Sequence, residues 1–215
     1  MSTLELAEEN GVSAMLCAAS GHLQKYWKER GGKMKWIAQT HPNSKDLTSN
    51  SKRAIDNGAS AAYIQGGVGD SFVKAGRVDL LVEAVAFIKQ NGLIAGVACH
   101  DIAVPIALEK AGVDVDFYMK TLHHDKYFSA TAKDELPESG LPGNDNMWSV
   151  APEKTIDVMS RIDKPWIAYK VLAAGAIHPR DGFKYAFEGG ADFACVGMLD
   201  FQVIEDTLIA KNLLT

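Results

Sequence analysis

The chain has 215 residues, 47% of them in the hydrophobic set and 23% charged, with a formal net charge of −5. That composition is sufficient for one sizeable core, offers no basic surface to nucleic acid, and contains no apolar run near the roughly 20 residues of a membrane span. The first ten residues have neither a basic segment nor an apolar stretch, so they do not read as a secretion signal.

Residues 3–10 read as the end of a helix closed by Gly11, and a short strand follows at 13–18. A helix at 20–30 is stopped by Gly31 and Gly32. A strand at 35–40, a helix at 48–57 and a strand at 61–65 come next. Gly66-Gly67-Val68-Gly69-Asp70 reads as a flexible turn. The clearest helix is 78–90, with Val78, Leu81, Val82, Val85 and Ile88 on one face. Strand 93–100, helix 102–110 with Asp101 as N-cap, and strand 115–121 continue the alternation. The rhythm breaks at 123–150, where two glycines, two prolines and many polar residues predict a long loop over the carboxyl face. Helix 152–162, strand 166–172, helix 179–188, strand 192–198 and a final helix at 203–213 complete the chain.

Strands alternating with helices at this spacing predict an α/β fold built of βαβ units around a parallel sheet. No Gly-x-Gly-x-x-Gly stands at the first strand–helix turn, so a dinucleotide-binding open sheet is disfavoured. The reading is one (β/α)8 TIM-barrel-like domain over 1–215, lacking the first strand because the chain opens inside a helix. The three cysteines, Cys17, Cys99 and Cys195, all fall in predicted strands. Their odd number and wide spacing predict reduced, buried thiols and a cytoplasmic location.

In a barrel of this kind the carboxyl ends of the strands face the site. They supply Gln39, Thr40, His41, Gln65, His100, Asp101, Lys120, Thr121, His123, His124, Tyr169 and Lys170. Four of the six histidines are in this set. Lys120 and Lys170 close successive strands, and two neighbouring ammonium groups would lower one pKa and make that amine nucleophilic. Against this stands ordinary ion pairing, with Asp114 and Asp116 as nearby acids. His100 and His123 are acid/base candidates near neutral pH. Gln39, Gln65, Tyr169, Gly175 and Arg180 are candidate substrate-binding residues. His41, His100 and His123, with Asp101 and Gln65, offer ligands to a divalent metal, although no glutamates of the sugar-isomerase kind stand at the strand ends.

Lys120-Thr121 and Lys170 with Ala174-Gly175-Ala176-Ile177 resemble the lysine segments of class I aldolases of the deoxyribose-phosphate type. That resemblance implies an imine on Lys120, tuned by Lys170. Tyr63-Ile64-Gln65, Gly76-Arg77-Val78-Asp79, Ala95-Gly96-Val97 and Val115-Asp116 are similar to the middle strands of aldo-keto reductases, whose catalytic Asp and Lys are not matched here. The whole sequence, with its Lys-Pro-Trp-Ile-Ala-Tyr-Lys-Val-Leu-Ala-Ala-Gly segment, resembles a bacterial (β/α)8 barrel family, which implies the fold and not a reaction. The expected function is a lyase or isomerase acting on a small carbonyl or sugar(-phosphate) compound through a lysine Schiff base, with no cofactor required. The alternatives are a divalent-metal isomerase or hydrolase and a non-catalytic binding or assembly protein. The expected partner is a small molecule, with no nucleic acid or membrane, and with self-association through exposed helices.

Overall fold

A computed structural model describes residues 2–18, 21–136 and 146–214. Part of the predicted 123–150 loop, residues 137–145, therefore lies outside the described residues. Helix α1 (Thr3–Glu9) begins at Ser2, whose hydroxyl accepts from the Glu5 amide while the Glu5 carboxylate accepts from the Ser2 amide. Strand β1 (Ala14–Cys17), helix α2 (Gly21–Arg30), β2 (Lys35–Thr40), α3 (Ser49–Asp56) and β3 (Ala61–Ile64) follow. Helices α4 (Gly66–Lys74) and α5 (Val78–Gln90), β4 (Ile94–Cys99), α6 (Ala103–Lys110) and β5 (Phe117–Thr121) form the middle of the chain. The last third holds α7 (Pro152–Met159), β6 (Trp166–Tyr169), α8 (Pro179–Glu188), β7 (Phe193–Cys195) and α9 (Val203–Leu214). Among the described residues, no helix is long and apolar enough to cross a membrane.

All strand pairs are parallel, and the order in the sheet is the order in the sequence, β1 to β7. This is a TIM-barrel-like sheet one strand short of closure, with β1 and β7 as its edges. Alternation along the strands separates two sets of apolar residues. Ala61, Tyr63, Ala98, Phe117, Met119 and Ile167 meet inside the sheet. Ala62, Ile64, Ala95, Val97, Cys99, Tyr118, Trp166 and Ala168 face the helices and join their apolar stripes. The inner space is tight: a Cβ on Gly96 would lie 2.2 Å from the Phe117 ring, so glycine there makes room for that ring.

Three expectations change. Gly66–Asp70 is not a free turn but the first half of α4, capped by Gln65, whose side-chain oxygen accepts from the Val68 amide at 3.1 Å. Its glycines mark close packing: a Cβ on Gly69 would sit 2.6 Å from the Ala98 carbonyl oxygen. Strand 166–172 ends early at Tyr169, because Lys170 takes φ 61° and turns the chain out of the sheet. Of the three cysteines only Cys99 is buried; Cys17 and Cys195 are half-buried, and all three are free.

Candidate active site at the carboxyl end of the barrel

The carboxyl ends of β3, β4 and β6 bring His100, Tyr169 and Asp70 together. His100 directly follows β4, and its side chain is 8% exposed. Asp70, on α4, lies beneath it. The Asp70 carboxylate accepts from the main-chain amides of His100 and Asp101, each at 3.0 Å, and its other oxygen is 2.7 Å from His100 Nδ1. A carboxylate at Nδ1 holds the proton there and leaves Nε2 as the acceptor. The geometry thus fixes both the tautomer and the ring plane of His100.

Tyr169 closes one side of this pair. Its hydroxyl donates to the Cys99 carbonyl at 3.0 Å, and its ring centroid is 5.6 Å from that of His100. Burial pushes the Tyr169 hydroxyl well up from its ordinary value, so it is a hydrogen-bond donor here and not a phenolate. Gly66 is what permits this contact. A Cβ at that position would lie 2.5 Å from the Tyr169 hydroxyl and 2.9 Å from His100 Cε1.

Trp148 also packs against His100, and nothing in its sequence surroundings marks it. Its ring centroid is 5.0 Å from that of His100, and Lys170 Nζ stands 3.8 Å from the centre of its ring. An ammonium over an indole face is a cation–π contact. Lys170 is exposed and lies just beyond the end of β6, so it is not a lysine buried in a strand. The Trp148 main chain is anchored to the barrel on both sides. Its amide donates to His123 Nε2 at 2.9 Å, and its carbonyl accepts from the Thr121 hydroxyl at 2.8 Å.

Lys120 takes an unexpected position. It is in register with Cys99 and Ala168 and shares the helix-facing side of β5 with Tyr118. It is 1% exposed. Its Nζ donates to the Thr121 carbonyl and hydroxyl oxygens, both at 2.9 Å. Burial, not a second ammonium, lowers its pKa, and the more distant Cys99, Asp70 and Asp101 act in the opposite direction. The expected repulsion between Lys120 and Lys170 is not its cause. Nor does Lys120 pair with Asp114 or Asp116. Both of those carboxylates bind Lys89 instead, at 2.6 and 2.7 Å.

The remaining candidates divide. Gln39 accepts from the Tyr63 hydroxyl at 2.8 Å, and its amide nitrogen lies 3.3 Å from His41 Nε2. Gln65 is spent on capping α4. Gly175, with φ 89°, ends a short 3-10 turn at Ala173–Gly175, and Arg180 is an exposed residue in the first turn of α8. The metal set His41, His100 and His123 is not brought together. His123 uses both ring nitrogens on main-chain groups, His100 is held by Asp70, and His41 is exposed beside Gln39. Among the described residues, no group of three His, Cys, Asp or Glu side chains is placed to hold a metal ion.

No family model matches the chain. No curated protein matches it either. Solved structures do. Two structures from Pseudomonas aeruginosa, assigned as aldo-keto reductases, align with TM-scores of 0.62 and 0.64 at 15% and 16% identity. Each alignment covers 99% of this chain, and 80% and 82% of theirs. A variant of FabK from Thermotoga maritima aligns with a TM-score of 0.52 at 16% identity, over 90% of this chain and 57% of that one. At these identities the likeness establishes the barrel fold alone. None of these structures is an aldolase.

Proposed function

We propose that the protein is an enzyme that moves a proton on a small carbonyl or sugar(-phosphate) compound, an isomerase or lyase step with His100 as the acid/base. The observation that carries this reading is the Asp70–His100 pair at the barrel mouth. The carboxylate orients the imidazole and stabilises the imidazolium that forms when Nε2 takes a proton. The proton of a carbon next to a carbonyl is the natural substrate of such a base. The negative charge then developing on the carbonyl oxygen is opposed by the Lys170 ammonium, which stands on the same indole as His100. Trp148 and Tyr169 form apolar walls that restrict water around the imidazole. In this step no cofactor is required. The solved neighbours assigned as aldo-keto reductases also suggest carbonyl compounds as a substrate class, by analogy of fold.

The test is solvent-deuterium incorporation. Small ketones, aldehydes and keto sugars, with and without phosphate, are incubated with the protein in heavy water and followed by proton NMR. Enzyme-dependent loss of an α-proton signal is expected for one substrate class, reduced at least 100-fold in His100→Gln. Exchange that is equal in the two proteins would remove His100 from the chemistry. Ligand-induced stabilisation without exchange would favour the binding-protein alternative.

A second reading has its own observation. Among the described residues, Lys120 is a buried amine that donates to the neutral oxygens of Thr121, and burial lowers its pKa, which favours the nucleophilic free amine. Borohydride reduction with the same carbonyl panel, followed by peptide mapping, separates the two. An adduct confined to Lys120 supports an imine mechanism. Adducts spread over exposed lysines do not.

A further inference from the structure

The segment 146–149 is fastened to the barrel mouth at an unusual point. His123 is fully buried, and its Nε2 accepts two main-chain amides at once, Trp148 at 2.9 Å and Ser149 at 3.0 Å. Its Nδ1 lies 2.9 Å from the His124 carbonyl, an oxygen that can only accept. The ring is therefore neutral, protonated at Nδ1, and all of its hydrogen-bonding capacity is used. Secondary fastenings flank this point. The Thr121 hydroxyl holds the Trp148 carbonyl, and the Tyr127 hydroxyl donates to the Asn146 carbonyl at 2.8 Å. Met147 and Ser149 are buried at 1% and 0% exposure. What the segment presents to the mouth is Trp148, whose ring contacts both His100 and the Lys170 ammonium.

We propose that His123 is a positioning residue that latches Trp148 over His100, and that protonation of His123 releases the latch. A second proton on this ring has one place to go, Nε2. There it faces two N–H groups that were donating to that atom, so two hydrogen bonds become two repulsive contacts. Both amides must then leave, and Trp148 leaves with them. Among the described residues, the groups facing the ring are Lys120 from β5, His124 and Asp125 from its own segment, and the edge of Tyr127 at 5.8 Å between centroids. Lys120 and His124 oppose a positive charge on His123, as burial does, and Asp125 favours it. The balance lowers the pKa, so the latch is closed at neutral pH and opens only on the acid side of the usual histidine range, about 6.5. The His123 ring thus controls the site without touching what binds there.

The catalytic consequence rests on the proposed role of His100, but the latch is measurable without it. Amide hydrogen exchange of peptides spanning 146–150, corrected for the intrinsic pH dependence, is compared between pH 8 and pH 4.5 in the whole protein. Protection of this segment is expected to fall at least tenfold with acid in the wild type. It should stay level in His123→Gln, whose amide oxygen accepts both N–H groups and does not titrate. His100→Gln should keep the wild-type profile. Protection that ignores pH in the wild type, or that falls equally in His123→Gln, would overturn the latch. Deuterium incorporation into a substrate supplies the second arm. If the latch titrates but catalysis does not follow it, the latch stands and the role assigned to His100 fails.

Discussion

At the scale of single residues, Lys120 makes the sharpest statement. An amine at 1% exposure with no carboxylate in contact among the described residues is costly to keep charged, and two bonds to Thr121 offset only part of that cost. Lys120→Met fills similar volume without the charge. It should stabilise the fold by about 1 kcal/mol near pH 7 if the desolvation cost exceeds the two lost hydrogen bonds. The pH dependence carries the sign. Burial lowers the folded-state pKa below the unfolded value of about 10.4, so the unfolded chain binds the proton more tightly. Wild-type stability therefore rises with pH through the interval between the two values. The advantage of the methionine variant should shrink as pH approaches 10 and vanish there. Urea denaturation at a series of pH values reads this directly, and a gap that does not change with pH would mean that Lys120 is buried as an ion. The sequence exposed the chemistry-bearing residues at this scale but not their directions. His100, Tyr169 and Lys170 were recognisable from their places at strand ends. Asp70 and Trp148 were not, because each reaches His100 across tens of residues of chain. The face occupied by Lys120 follows from a single step of strand register, which sequence does not fix for a strand buried on both sides.

At the scale of elements, α4 shows how the site is held. Strands and most helices were legible because their apolar periods and closing glycines agree. Gly66-Gly67-Val68-Gly69 misled because glycine lowers helix propensity, and here packing overrides it. The helix must lie close on β4 for Asp70 to reach the His100 and Asp101 amides. A Cβ on Gly69 would meet the Ala98 carbonyl oxygen at 2.6 Å, and that oxygen belongs to the strand and cannot swing aside. Gly69→Ala should therefore lift α4, cost about 1–3 kcal/mol, and loosen the Asp70–His100 pair. Gly67→Ala is the control. Its Cβ meets the Gln65 side chain at 3.2 Å, which can adjust, and alanine gains up to about 1 kcal/mol of helix propensity. Chemical denaturation of both variants gives the comparison. If Gly69→Ala proves as stable as the wild type, the close seating of α4 is not what places Asp70.

At the scale of the whole molecule, the open seam between β7 and β1 sets the distribution of stability. β3, β4 and β5 each have strand neighbours on both sides, and their inner residues Ala61, Tyr63, Ala98 and Phe117 are buried. β7 pairs with β6 alone and is three residues long. Phe193, in register with the buried Ile167, is 57% exposed, although its parity directs it inward. An eighth strand would cover it. Phe201, Ile204 and Leu208 beyond it are exposed as well. Cooperative opening should therefore begin at this seam, since few contacts are lost there and, among the described residues, the edge amides lack a partner strand. Native-state hydrogen exchange in low denaturant should show 61–64, 94–99 and 117–121 exchanging only through global unfolding, with the full denaturant slope. Residues 14–17 and 193–195 should exchange by smaller openings, with shallow slopes and at least 100-fold less protection. The comparison is internal to one protein and does not depend on any functional assignment. Uniform protection across all seven strands would mean that the seam is covered in solution. Sedimentation equilibrium would then decide whether a second copy covers it, because protection supplied by another chain falls on dilution and protection supplied within the chain does not.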